Sequence, residues 1–196
     1  MNEMLMSLGS NFEEMKQYLR LGIREPKEDD LVSVYLPALE MEVYVFADFT
    51  ANRLMPPATA NIFTKLVEEW KVDPATVIDT ATKNTLNHSK VTTMAEVLGV
   101  DSGIPMYVIT SDTGVKGAAS FMYYDLLNDL CDKLESDRIV ILPSSIHEVI
   151  VVAEDVANTD LVQMITEINQ TEVEPQDRLC NFPFEYRKST GVLRKA

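Results

Sequence analysis

The sequence predicts an α+β fold, a mixed but mainly antiparallel sheet with a central hairpin covered by helices. Three observations predict it. Patterned segments follow one another in the order strand, helices, strand, helix, hairpin, helix, strand. Residues 137–155, D-R-I-V-I-L-P-S-S-I-H-E-V-I-V-V-A-E-D, hold two β-branched apolar runs, 139–142 and 149–152, around a Pro-Ser-Ser interruption. Runs of this kind read as paired strands, and because they are apolar throughout instead of alternating, they belong mid-sheet beneath helices. The covering layer is supplied by a long amphipathic stretch, about 118–134, with Phe121, Tyr124, Leu127, Leu130, Cys131 and Leu134 on one side.

Residues 1–28 carry a short amphipathic segment, Phe12, Met15 and Leu19, with Asn11 as its cap. The pattern is then lost across 24–30, so residues 1–40 read as an N-terminal arm or a shortened N-terminal region, and residues 41–196 as a single α+β domain. Residues 31–36 and 41–49 are strand-like on either side of Pro37, and 40–45 alternates as a half-buried strand does. Pro56-Pro57 closes that hairpin, and Thr59 caps a helix bearing Ile62, Phe63, Leu66, Val67 and Trp70. Asp73-Pro74 opens a second helix through Val77, Ile78 and Ala81 to about Asn84. A helical turn over 92–98 ends at Gly99, a strand follows over 105–110, and 112–117 is turn chemistry before the long helix. Beyond the central hairpin, Asn158-Thr159-Asp160 caps a helix through Leu161, Met164, Ile165 and Ile168. Glu174-Pro175 is a short turn, and 182–186 with Val192-Leu193 forms a last strand pair.

A chain of 196 residues builds one ordinary core, burying roughly 70% of its unfolded surface. Hydrophobic residues at 46% and charged residues at 24% fit a globular protein and exclude wholesale disorder. No apolar run approaches the ~20 residues of a membrane span, and the first residues lack a basic start with an apolar centre. No membrane association and a cytoplasmic location are therefore expected. Two cysteines, Cys131 and Cys180, and two histidines, His88 and His147, are too few and too scattered for a zinc site, so neither metal nor cofactor is expected. The net charge of -14 opposes phosphate backbones, so nucleic acid is not an expected partner, and Arg187, Lys188, Arg194 and Lys195 read as a solvated end.

Chemistry-bearing residues crowd together only at the hairpin bend, with Ser144, Ser145, His147 and Glu148. A zinc helix of H-E-x-x-H type fails there, because Val151 stands where the second imidazole belongs. A hydrolytic reading makes Ser144 or Ser145 the nucleophile and His147 the base, oriented by Glu148, Asp112 or Asp155, although no Gly-x-Ser-x-Gly turn aims a serine. The preferred reading is that both hydroxyls and the imidazole hold the bend together. A second candidate is 112–117, where Asp112 and Gly117 precede a helix whose free N–H groups attract anions. Lys116 precedes Gly117 instead of following it, so this is not a P-loop. Asn84-Thr85 and Asn169 read as helix-end residues.

Several of these segments together resemble a known group: Ile141-Leu142-Pro143-Ser144-Ser145-Ile146-His147-Glu148-Val149-Ile150, Pro105-Met106-Tyr107-Val108-Ile109-Thr110, Gly117-Ala118-Ala119, Trp70-Lys71-Val72-Asp73 and M-I-T-E-I-N-Q-T-E-V over 164–173. They are similar to the C-terminal part of the uncharacterised bacterial family DUF5688, over about residues 41–186. Ser111-Asp112 departs from the family's usual Asn, and Leu179-Cys180-Asn181 from its usual Leu-Ser-Asp. The resemblance implies a fold and carries no activity. The expectation for function is a non-catalytic protein- or peptide-binding module, with a hydrolase or small-molecule enzyme using Ser144-Ser145-Ile146-His147 as the alternative. Oligomeric state is left open.

Overall fold

The structure is a computed structural model that describes residues 11–51, 57–99, 103, 105–157 and 161–196. Among them, ten strands form two sheets in which every pairing is antiparallel.

A short helix α1 (Phe12–Met15), capped by the Asn11 side chain, runs through a 3-10 turn into β1 (Leu19–Arg24). This strand pairs along β3 (Met41–Asp48), from Leu19 opposite Ala47 to Arg24 opposite Glu42. On the other side of β3 lie β2 (Ser33–Leu36), beside its first half, and β4 (Thr59–Asn61), beside its last residues. The hairpin expected around Pro37 is therefore β2–β3. All eight residues of β3 are buried. The pattern break at 24–30 is a loop, but the segment before it is a core strand that contributes Leu19, Leu21 and Ile23.

Helix α2 (Thr64–Trp70) ends at Lys71 in the left-handed region, and α3 (Pro74–Asn87) starts on an Asp73 cap with Pro74 in its first turn. Asn84 and Thr85 lie in the last turn of α3, where their carbonyls accept the His88 N–H, and their side chains also tie down β1. Asn84 Nδ2 donates to the Lys16 and Leu19 carbonyls, and Thr85 Oγ1 accepts from the Leu21 N–H at 2.8 Å while donating to Ala81.

The second sheet has the order β10-β9-β7-β8-β6-β5. Its strands are β5 (Ser89–Thr93), β6 (Met106–Ser111), β7 (Arg138–Pro143), β8 (Val149–Ala153), β9 (Phe184–Arg187) and β10 (Val192–Lys195). The expected central hairpin is β7–β8, in register from Ile139 opposite Ala153 to Pro143 opposite Val149. Its continuous apolar character has a two-sided cause. Ile139, Ile141, Val149 and Val151 enter the main core, while Val140, Leu142 and Val152 pack on the other face with Ile150 and Met164.

Met164 belongs to α6 (Leu161–Thr171); Asn158, Thr159 and Asp160, expected to cap it, lie outside the described residues. Between β5 and β6 sits α4 (Met94–Leu98), opened by a Thr93–Glu96 capping box and closed by Gly99 at φ 68. The expected long helix is two pieces, a buried 3-10 segment Gly117–Met122 and α5 (Tyr124–Lys133). The main core joins both sheets through Trp70, Val77, Phe121, Leu127 and Leu130. No helix among the described residues is long and apolar enough to cross a membrane.

Three adjacent strands share one buried carboxylate. Glu185 on β9, 7% exposed, accepts from Arg138 on β7 and Arg194 on β10. Burial pushes its carboxyl upward, but the Arg194 and Arg138 guanidiniums outweigh that and hold it below the usual range. A carboxylate depressed in this way stabilises the fold above its unfolded value, and the contribution is lost as pH falls through the folded one. Glu185→Gln is expected to cost about 2 kcal/mol near neutral pH, with the deficit shrinking as pH falls below the ordinary carboxylate range. Urea melts across pH check this, and a deficit independent of pH would contradict it.

Candidate functional site

The two stretches that the sequence singled out meet in space. The bend between β7 and β8 is built from its own polar groups: the Ser145 N–H donates to the Glu148 carbonyl at 3.1 Å, and the His147 N–H donates to Ser145 Oγ at 3.1 Å. From there it reaches into neighbouring segments. The Ile146 N–H donates to Asp177 O, Ala118 donates to Ile146 O, and Thr110 Oγ1 donates to His147 O.

The imidazole is occupied on both sides. Lys116 donates its backbone N–H to His147 Nδ1 at 3.1 Å, which makes Nδ1 the acceptor and places the ring proton on Nε2. Nε2 faces Asp177 Oδ1 at 3.4 Å. The orienting carboxylate is thus Asp177, at the end of the 3-10 turn Pro175–Asp177, and neither Glu148, Asp112 nor Asp155. Neither ring nitrogen is engaged by a serine hydroxyl. Ser144, Ser145, His147 and Glu148 are all half-buried.

Asp112 instead meets His88, the cap at the end of α3, with Nδ1 and Oδ2 at 2.6 Å, and its N–H donates to the His88 carbonyl at 2.9 Å. Next to this pair a buried Asp48 accepts from Thr50 N–H and Thr113 Oγ1. Burial lowers the Arg20 guanidinium from its ordinary value, while Asp48 and Asp112 act in the opposite direction. The Lys116 ammonium is likewise lowered by burial, with Asp48 opposing, and it lies 4.6 Å from the Phe46 ring centre. The cavity among Arg20, Asp48, His88, Ser111, Lys116 and Gly117 is about 10 Å³, the size of one water.

Gly117 is required by a close approach. A Cβ there would stand 2.1 Å from Ser111 N and 2.5 Å from Thr110 C. Lys116 before it is left-handed, at φ 48, and this turns its N–H toward His147.

His88, Asp177, Arg20 and Asp48 escaped sequence reasoning, since each lies far along the chain from the residues it serves. Among the described residues no group of three or more His, Cys, Asp or Glu side chains is placed to hold a metal. Burial pushes the Cys131 thiol up to about 11 and the Cys180 thiol up to about 12, so both stay protonated at neutral pH.

Larger concavities lie away from this junction. One of about 270 Å³ is lined by Leu36, Pro37, Leu39, Met122, Tyr124 and Leu193. Another, of about 290 Å³, runs between β5 and α5 past Leu86, Val91, Leu126, Asp125 and Asp129.

His147→Ala leaves the Lys116 amide without its acceptor and is expected to cost about 1–2 kcal/mol, read as a lower urea midpoint at unchanged slope. Gly117→Ala drives a methyl group into backbone and is expected to cost more than His147→Ala. The reverse ranking would show that the junction relaxes freely.

No curated protein and no solved structure matches the chain. The family comparison reaches further toward the N-terminus than the segments resembling DUF5688 suggested, spanning residues 6–188 and therefore β1 and β2 as well as the C-terminal part. With nearly its whole length matched, the chain belongs to DUF5688, a family of unknown function.

Proposed function

We propose that this protein is a non-catalytic binding module of the bacterial cytoplasm, and that it captures an extended, basic segment of a partner protein by adding it to the edge of the second sheet. The observation that carries this reading is the groove between β5 and α5. Among the described residues β5 pairs with β6 alone, so apart from the Thr93 N–H, which donates to Glu96 Oε2, its outer edge offers backbone groups to an incoming strand. Alternate side chains of such a strand point one way, toward the apolar wall of Leu86, Val91, Leu126 and Leu130.

Charge supplies the selectivity. Asp125 and Asp129 stand one helical turn apart in the groove, and neither has a salt-bridge partner among the described residues. The nearby Lys133 is turned toward the Tyr107 ring, at 5.8 Å. In a chain of net charge -14, lysine or arginine flanking the apolar positions is favoured and a nucleic acid is not. The competing hydrolase reading requires a serine hydroxyl on His147, whose Nδ1 instead accepts from Lys116.

A synthetic peptide alternating valine and lysine, followed by fluorescence anisotropy, tests the reading. Saturable binding is expected, weakened about tenfold in the Asp125→Asn, Asp129→Asn double variant, or ~1.4 kcal/mol. Absence of saturation, or equal binding of a valine–glutamate peptide, would overturn it. Concentration-dependent dimers that the peptide fails to dissociate would give the edge to a second copy of the chain instead.

A further inference from the structure

A separate cleft of about 340 Å³ lies between the loop leaving β1 and residues 175–181. Its polar lining is Arg24, Glu25, Lys27, Gln176, Arg178 and Asn181, over a floor of Leu179 and Cys180. Three cations against one carboxylate is an inversion of the balance of the whole chain, which has 31 acidic and 17 basic side chains. The volume falls in the range of small-ligand sites.

The three cations are not equivalent. Arg24 is neutralised, with Nη1 and Nη2 donating to both Asp29 oxygens at 2.7 and 2.8 Å and Nη2 also to Glu42 at 3.3 Å. It is part of the wall. Lys27 is held by its backbone, whose N–H donates to the buried Glu42 at 3.1 Å, while its ammonium has no ion-pair partner among the described residues. Arg178 is held by Nε, which donates to the Val173 carbonyl at 3.1 Å, while its two Nη groups, with no partner among the described residues, form a fork.

A fourth donor is oriented from below. Asn169, 1% exposed, donates Nδ2 to the Cys180 carbonyl at 2.8 Å and to Asn181 Oδ1 at 3.0 Å. With its oxygen engaged, Asn181 keeps its own Nδ2 as a donor. Three carboxylates nearby are already committed: Asp29 and Glu42 to Arg24, and Asp177 to His147. The Cys180 thiol, raised to about 12 by burial, supplies a neutral floor and no nucleophile.

We propose that this cleft binds a small organic oxyanion, a carboxylate or a phosphate, gripped by the Arg178 fork, the Lys27 ammonium and the Asn181 amide. Positioning of these donors before the ligand arrives lowers the cost of ordering them. Glu25, the lone carboxylate of the lining, opposes a second anionic group and favours a ligand whose remainder carries a hydroxyl or ammonium. The site is independent of the groove beside β5.

The test is a backbone amide NMR titration of the full chain with inorganic phosphate and, separately, with acetate, at ionic strength matched with sodium chloride. Saturable shifts confined to residues 24–27 and 176–181 are expected, and the arm that saturates lower identifies the anion. Lys27 and Arg178 are exposed, so the Lys27→Ala, Arg178→Ala variant keeps its fold and loses the shifts. Arg178→Lys retains charge without the fork and is expected to bind at least tenfold more weakly, whereas Glu25→Gln binds more tightly. Shifts that scatter over the surface, that fail to saturate in both arms, or that persist in the double variant would overturn the proposal.

Discussion

The fold turns on one backbone contact, the approach of Gly117 to the end of β6, where a side chain would meet Ser111 N at 2.1 Å. Because the chain passes so close, Ala118 and Lys116 present their N–H groups to the hairpin bend, one to the Ile146 carbonyl and one to the His147 ring. The same passage drops Phe121 into the core, where it stacks on Phe184 with ring centres 4.9 Å apart. The 3-10 geometry of Gly117–Met122 follows from this crowding, since a tighter winding lets five successive buried residues run along the sheet. Ser145 Oγ and both nitrogens of the His147 ring have partners within this junction.

Buried carboxylates divide the remaining charge. Glu42 joins Arg24 to the Lys27 amide, Glu185 links three strands through two arginines, and Asp48 receives Thr50 and Thr113. For Glu42, burial pushes the carboxyl up while Ser33, Lys27 and Arg24 bring it below the usual range, so its charge is retained at neutral pH. Several of the 17 basic side chains are thereby committed to internal partners. The cations that remain outside such pairs, Lys27 and Arg178 among them, carry more weight than a net charge would indicate.

What the sequence made legible was whatever a short window encodes. The β7–β8 hairpin stood out because both faces are covered, leaving no polar alternation to dilute the signal. The Asp73-Pro74 start of α3 and the Gly99 stop of α4 rest on local chemistry and were readable for that reason. Strand β5 was not, since Ser-Lys-Val-Thr-Thr has one apolar side chain and takes its conformation from pairing with β6. Strand β1 was obscured by Gly22, which lies opposite Tyr44 and has no side chain to contribute to the pattern. The candidate site was half legible: the bend and the 112–117 loop were visible, but Asp177 and His88 reach them only through the folded chain. Asn84 and Thr85 were legible as helix-end residues, but a window of sequence cannot register the Thr85 bond to Leu21.

The margins of the two sheets are treated differently. Thr85 and Asn84 seal the outer rim of β1, and at the far end of the second sheet the Lys195 N–H of β10 is taken by the Ala38 carbonyl. Among the described residues, the second sheet is tied to the rest of the chain at its β10 rim and pairs with no further strand at its β5 rim. Fibre growth by stacking strand on strand needs two receptive rims on every copy, one to add to and one to be added to. A sheet whose second rim is tied to the rest of the chain offers an incoming strand one place to add, which works against growth into filaments.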